Sequence, residues 1–285
     1  MEAQKLYEQL EKDFITSAVS DDWFDSTHMQ SVAEFLCDNF KQRSMGLVCG
    51  NSEEIEKVYT AVFPSDAIMR FIIDKKEEDI MLFVHHPQIW DIRNSPDVFQ
   101  DMNRNLLQRF KEKRISIYNL HSPLDNFGEF STSNNLAKVL GVEVEKSFAP
   151  YHGGLCGVFG KTELMTVLEL KNRFELILGH RASLYDYGLE SIANQNVAIV
   201  AGGGNDVGVL EEAVKKGINV FITGIAAKND HSKKAHDFAK ENKINILGGT
   251  HYSTEKFACM AICEYFKKLG LLSEFIVGES VMEDI

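Results

Sequence analysis

Three segments of this chain place metal-ligating side chains directly behind an apolar run. Ile80-Met81-Leu82-Phe83-Val84 leads into His85-His86-Pro87. Ile115 to Leu120 leads into His121-Ser122-Pro123-Leu124-Asp125. Ile244 to Leu247 leads into Gly248-Gly249-Thr250-His251-Tyr252-Ser253-Thr254-Glu255. Imidazole nitrogens and carboxylate oxygens without a cysteine among them suit borderline or hard divalent ions, which points to Zn, Fe or Mn. A pair of ions also needs bridging oxygen donors, which Glu255 or Asp125 supplies. Taken singly, each segment has an ordinary explanation, a hydrogen-bonded structural histidine or a solvated helix face. The coincidence of the three at strand ends singles them out. Four of the nine histidines fall in these segments, which leaves His28, His152, His180, His231 and His236 to be read as surface or core residues.

The elements that must position these residues are legible as alternation. Val58 to Phe63, Ile80 to Val84, Ile115 to Leu120, Val197 to Val200, Val220 to Thr223 and Ile244 to Leu247 read as buried strands. Val98 to Lys113, Ser133 to Leu140, Val207 to Lys216 and Ser232 to Glu241 carry apolar residues three or four apart and read as amphipathic helices. Strand and helix in turn give an α/β protein with mainly parallel sheets, in which ligands sit beyond the carboxyl ends of the strands. Proline ends the first of these runs, because it cannot continue a ladder. His251 and Glu255 share one face if a helix starts there. Val197 to Asp206 passes through Gly202-Gly203-Gly204, which is either a phosphate cradle or a tight turn capped by Asn205 or Asp206. Tyr151 to Gly160, rich in glycine, reads as strand or hairpin and as a candidate junction.

Composition bounds the rest. At about 150 residues per domain, 285 residues make two domains. Lys+Arg 30 against Asp+Glu 42 gives a net charge of −12, which disfavours nucleic acid and anionic membrane surfaces as partners. Five cysteines without a CxxC pair imply reduced thiols and a cytoplasmic location, and Cys259 and Cys263, one helical turn apart, read as packing residues. No run has the length of a membrane span or the pattern of a signal peptide.

The order FVHHP, HSPLD followed by GEFSTSNNLAKVLG, VAIVAGGGNDVGVLEEAVKKGINVFITG, and GGTHYSTEK resembles the Nif-three-like family, whose members are often called GTP cyclohydrolase type-two homologues. MGLVCG, Met45 to Gly50, is similar to that family's early glycine-leucine segment. The resemblance implies two similar α/β domains, residues 1–128 with 250–285 and residues 129–249, and an inter-domain cleft holding two divalent metal ions per subunit. Its ligands fall on His85, His86, Asp125, His251 and Glu255, with His121 a further ligand or a residue that orients Asp125. It also implies a homo-oligomer, a toroidal hexamer. Two functions follow. One is a dinuclear metal-dependent hydrolase with a metal-bridging hydroxide as nucleophile, acting on a nucleotide such as GTP in a cyclohydrolase-type ring opening. The other is a metal-binding regulatory or scaffold protein without turnover. The chain departs from the family wording at Ile225, where an acid is usual, at Thr250, where glycine is frequent, and in SDDWFDSTHM, Ser20 to Met29.

Overall fold

The structure, a computed structural model, describes residues 1–21 and 29–285. The reading of His28, and most of the Ser20 to Met29 segment, lie outside the described residues. The chain divides into two compact units. The first comprises Met1–Leu124, His152–Gly154 and Cys259–Glu279, and the second Asp125–Tyr151, Leu155–Ala258 and Ser280–Ile285.

The first unit is built on a five-stranded sheet in the order Gly46–Cys49, Ile115–Asn119, Ile80–Val84, Lys57–Ala61, Leu272–Phe275. All pairs are parallel except the Gly46–Cys49 edge, which runs antiparallel to Ile115–Asn119. Ile80–Val84 and Ile115–Asn119 are buried at every position. That is why they read as unbroken apolar runs rather than as alternation. Their register sets Val84 opposite both Ala61 and Asn119, so three parallel strands end level at one edge of the sheet. His85-His86 and His121 leave from that edge. Helices Asp66–Asp74 and Arg104–Glu112 cover the sheet, started by the side chains of Ser65 and Asn103, which accept from backbone N–H groups of the first turn. The second of these starts later than its apolar spacing predicts. Ile89–Trp90 and Phe99–Gln100 pair as a small antiparallel ladder, and Asn103 sets the helix start after it.

The second unit holds a six-stranded sheet in the order Val142–Tyr151, Gly154–Thr162, Asn196–Val200, Val220–Thr223, Asn245–Gly248, Ser183–Tyr185. Here the expectation of mainly parallel sheets needs correction. The central three strands are parallel, but Gly154–Thr162 and Ser183–Tyr185 join them antiparallel on either side. An apolar run does not encode its own direction; the connection that delivers it does. The Tyr151 to Gly160 segment is strand on both sides of His152-Gly153, as its composition implies. Register again matches Val200 with Thr223 and Thr223 with Gly248, so the glycine turn and the segment containing His251 leave from one level. Helices Thr132–Leu140, Val207–Lys215 and Lys233–Glu241 stand close to their expected places.

Helix His251–Lys268 starts at the residue expected. Cys259 and Cys263 are buried on it: Thr60 Oγ1 donates to the Cys259 carbonyl at 2.7 Å, and its oxygen lies 3.2 Å from Cys263 Sγ. Among the described residues no helix is long and apolar enough to cross a membrane.

Candidate metal centre

In the first unit the level strand ends bring three imidazoles together. His85, His86 and His121 are buried, and each offers a ring nitrogen such that the three lie within 4.8 Å of one another. Their ring centroids are separated by 4.4, 5.2 and 4.7 Å. The protein fixes how these rings point. His85 Nδ1 lies 2.9 Å from the Leu120 carbonyl. A carbonyl only accepts, so Nδ1 carries the proton and Nε2 keeps the lone pair a metal needs. His121 Nδ1 lies 2.9 Å from Asp21 Oδ1, and Asp21 is itself held by the backbone N–H and the hydroxyl of Ser122. A carboxylate behind an imidazole orients the ring and raises the basicity of its other nitrogen. The His86 ring is stacked on Phe63, with centroids 4.7 Å apart.

In the second unit the donors are mixed. His251 Nε2 and Glu255 Oε1 are 3.1 Å apart on the first turn of their helix, both side chains nearly fully buried. Two ligands at bonds of about 2.1 Å to one ion stand about 3.0 to 3.4 Å apart, so the spacing fits a shared ion. Asp125 is the mixed cluster's second carboxylate candidate. It closes the one-turn helix Ser122–Asp125, where Thr132 Oγ1 donates to its Oδ1 at 2.8 Å.

The glycine turn proves to be a matter of space. Asp206 caps helix Val207–Lys215, accepting from the N–H groups of Gly208 and Val209, as in the tight-turn reading. Gly202, at φ +71°, lies so close to the helix that a Cβ there would meet Glu255 Oε1 at 2.2 Å and His251 Cδ2 at 3.4 Å. Its N–H donates to Thr254 Oγ1 at 3.0 Å, and its carbonyl accepts from the N–H groups of Gly224 and Ile225.

Asp284 was invisible as a functional residue in the sequence. Fully buried, it accepts the His251 N–H at 2.9 Å through its carboxylate, and the N–H groups of Ala226 and Ala227 through its carbonyl. A carboxylate on the first-turn N–H of a helix caps it and opposes the positive end of its dipole. Asp21 was missed for the same reason, since it lies 100 residues from the histidine it holds. Of the remaining histidines, His236 is buried with both ring nitrogens hydrogen-bonded, in keeping with a core role.

Residues 28–280 match the family model described as Duf34/NIF3 (NGG1p interacting factor 3). A protein of Archaeoglobus fulgidus called GTP cyclohydrolase 1 type 2 homolog is 31% identical over 258 residues, covering 87% of this chain and 97% of its own. One of the same name from Yersinia pestis is 30% identical over 223 residues, 77% of this chain and 83% of its own. Among solved structures, protein ybgI, described as of unknown function, superposes with a TM-score of 0.75 at 24% identity, over 98% of this chain and 100% of that one. Reduced HcgD from Methanocaldococcus jannaschii superposes with a TM-score of 0.68 at 20% identity, over 98% of each chain. At these identities the structural likeness is one of fold. Buried histidine and glutamate side chains of this chain are able to hold a metal ion.

Proposed function

The chain belongs to the Duf34/NIF3 family, and from that premise we propose that it is a metal-dependent hydrolase. In this reading His85, His86, His121, Asp125, His251 and Glu255 hold two divalent ions in a cleft between two α/β domains. The observation that carries it is the buried three-imidazole cluster, in which the protein has already spent hydrogen bonds on aiming rings. Three imidazoles whose ring nitrogens converge on one point form the kind of donor set that a borderline divalent ion takes.

Bound divalent ions supply a water of lowered pKa and polarise the bond it attacks. The chain's own residues do the positioning. His85 and His121 present neutral Nε2 donors, and Asp21 holds the negative charge behind His121. Asp125 and Glu255 bring the anionic charge that offsets two dications. Thr132 fixes one oxygen of Asp125. The substrate class we propose is a nucleotide such as GTP, after the name its relatives carry, and the assembly a homo-oligomer, the hexamer that the sequence resemblance implies.

The test is direct. Protein purified without chelator should contain close to two transition-metal ions per chain by elemental analysis. It should hydrolyse a nucleotide at a rate abolished by chelation and restored by metal. Absence of any transition metal overturns the metal centre. Full metal occupancy without turnover across nucleotides and phosphoesters overturns the hydrolase and leaves the regulatory or scaffold reading.

A further inference from the structure

We propose that the second unit carries a separate binding site for a small phosphate-bearing anion, in a concavity of about 330 Å³ beside helix Lys233–Glu241. It is lined by Tyr187, Lys228, Lys233, His236, Asp237 and Lys240. The volume lies in the range of small-molecule pockets, about 300 to 1,000 Å³.

Three ammonium groups against one carboxylate make this pocket cationic on a chain whose net charge is −12. Surface lysines alone would be weak grounds, because a flexible ammonium loses entropy on gripping a ligand. Here the floor pins one of them. His236 Nε2 lies 3.0 Å from the Ala226 carbonyl, so Nε2 carries the proton and Nδ1 accepts. Tyr187 therefore donates its hydroxyl proton to Nδ1, at 3.1 Å. Burial holds His236 below the ordinary histidine range, which keeps it in this neutral form. The Tyr187 ring is thereby held in place by His236 and the backbone carbonyl behind it. The Lys228 ammonium also lies over the rings of both Tyr185 and Tyr187, 5.0 and 5.2 Å from their centroids. Two ring faces, one of them held through His236 to a backbone carbonyl, thus seat a cation at the pocket wall.

The opposite wall is one helix face. Lys233, Asp237 and Lys240 follow at i, i+4 and i+7, with Asp237 paired to Lys233 and lowered in pKa chiefly by it, and Lys240 adding to the same field. An anion entering between the walls meets Lys228 on one side and Lys233 with Lys240 on the other. Pre-positioned charges of this kind favour phosphate, which accepts several charge-assisted hydrogen bonds at once.

The test is calorimetric titration of the full chain with inorganic pyrophosphate, before and after dialysis against chelator. The expected result is saturable binding that survives dialysis and weakens by at least about tenfold in the Lys228→Gln/Lys240→Gln variant. Tyr187→Phe, which keeps both ring faces and removes the hydroxyl by which His236 holds the ring, should weaken it less. The exposed pair Lys161→Gln/Lys215→Gln should leave it unchanged. Binding lost on dialysis and indifferent to Lys228 and Lys240 overturns the proposal, because the anion is then held by metal. So does equal loss in the two lysine pairs, or no saturation below about 10 mM.

Discussion

The two clusters of candidate ligands solve the same problem by different means. In the first unit the candidate ligands are imidazoles, and hydrogen bonds to acceptors behind two of them, the Leu120 carbonyl and the Asp21 carboxylate, decide which nitrogen faces outward. In the second, the His251 and Glu255 side chains are placed by close backbone packing. Gly202 lies under Glu255, Thr254 accepts from Gly202, and Asp284 caps the helix start. One cluster is set by proton placement and the other by available space. Substitutions that leave volume alone should therefore tell on the first, and substitutions that add a single methyl should tell on the second.

The largest effects expected break both clusters outright. His86→Ala and His251→Ala should each lower the metal content of purified protein severely. If the two clusters serve one centre, the double variant loses much less than the sum of the single losses, because residues acting as a unit are non-additive. Additive losses in elemental analysis would separate the two clusters into independent sites.

Next in size is Gly202→Ala. Its Cβ would stand 2.2 Å from Glu255 Oε1, on a backbone with φ +71°. Gly179→Ala is the matched control, at φ +83° with nothing within 4 Å of the added carbon. Both should lose about 1 to 2 kcal/mol of stability from the left-handed backbone. Gly202→Ala alone should also lose metal affinity, by at least about tenfold, as read by competition with a chelating indicator. Equal metal affinity in the two variants would remove the spatial account of the second cluster.

The smallest and most discriminating effects come from isosteric changes behind the ligands. Asp21→Asn keeps the volume and removes the charge behind His121, so metal affinity should fall about tenfold. Asp284→Asn keeps an oxygen on the His251 N–H, and should cost under about 1 kcal/mol in thermal unfolding with little change in metal affinity. The reverse order would mean that the first cluster is not tuned by its acceptors.

Much of this architecture could be read directly from the residues. Ile80–Val84 stands where an unbroken apolar run ends in His-His-Pro, and the final helix starts at His251 as its HxxxE spacing suggests. Ligand types at strand ends are local features, which is why they are legible. Their supports are not local. Asp21 and Asp284 lie 100 and 33 residues from the histidines they hold, and nothing in Ala18-Val19-Ser20-Asp21-Asp22 or Met282-Glu283-Asp284 marks a buried acid, so only folding reveals them. Gly202 belongs to a turn that reads as a possible anion cradle, but the reason for the glycine lies on a distant helix, since its N–H bonds Thr254 across a separation of 52. Helix Val167–Leu178 does carry a local mark, because Thr166 and Glu169 form a full capping box at its start. Strand direction in the second sheet had no local mark at all.

The Asp284 contact also has a kinetic side. Closing a loop of 33 residues onto His251, like the 100-residue reach from Asp21 to His121, adds long-range contacts, and such contacts form late because chain entropy opposes them until neighbouring structure is in place. During synthesis Asp284 follows every other residue of the cluster it caps. A nascent chain that has exposed His251 and Glu255 but not Asp284 has the local cap between Thr250 and Ser253 but lacks the carboxylate on the His251 N–H, so the full arrangement of that cluster belongs to the finished fold rather than to the emerging chain.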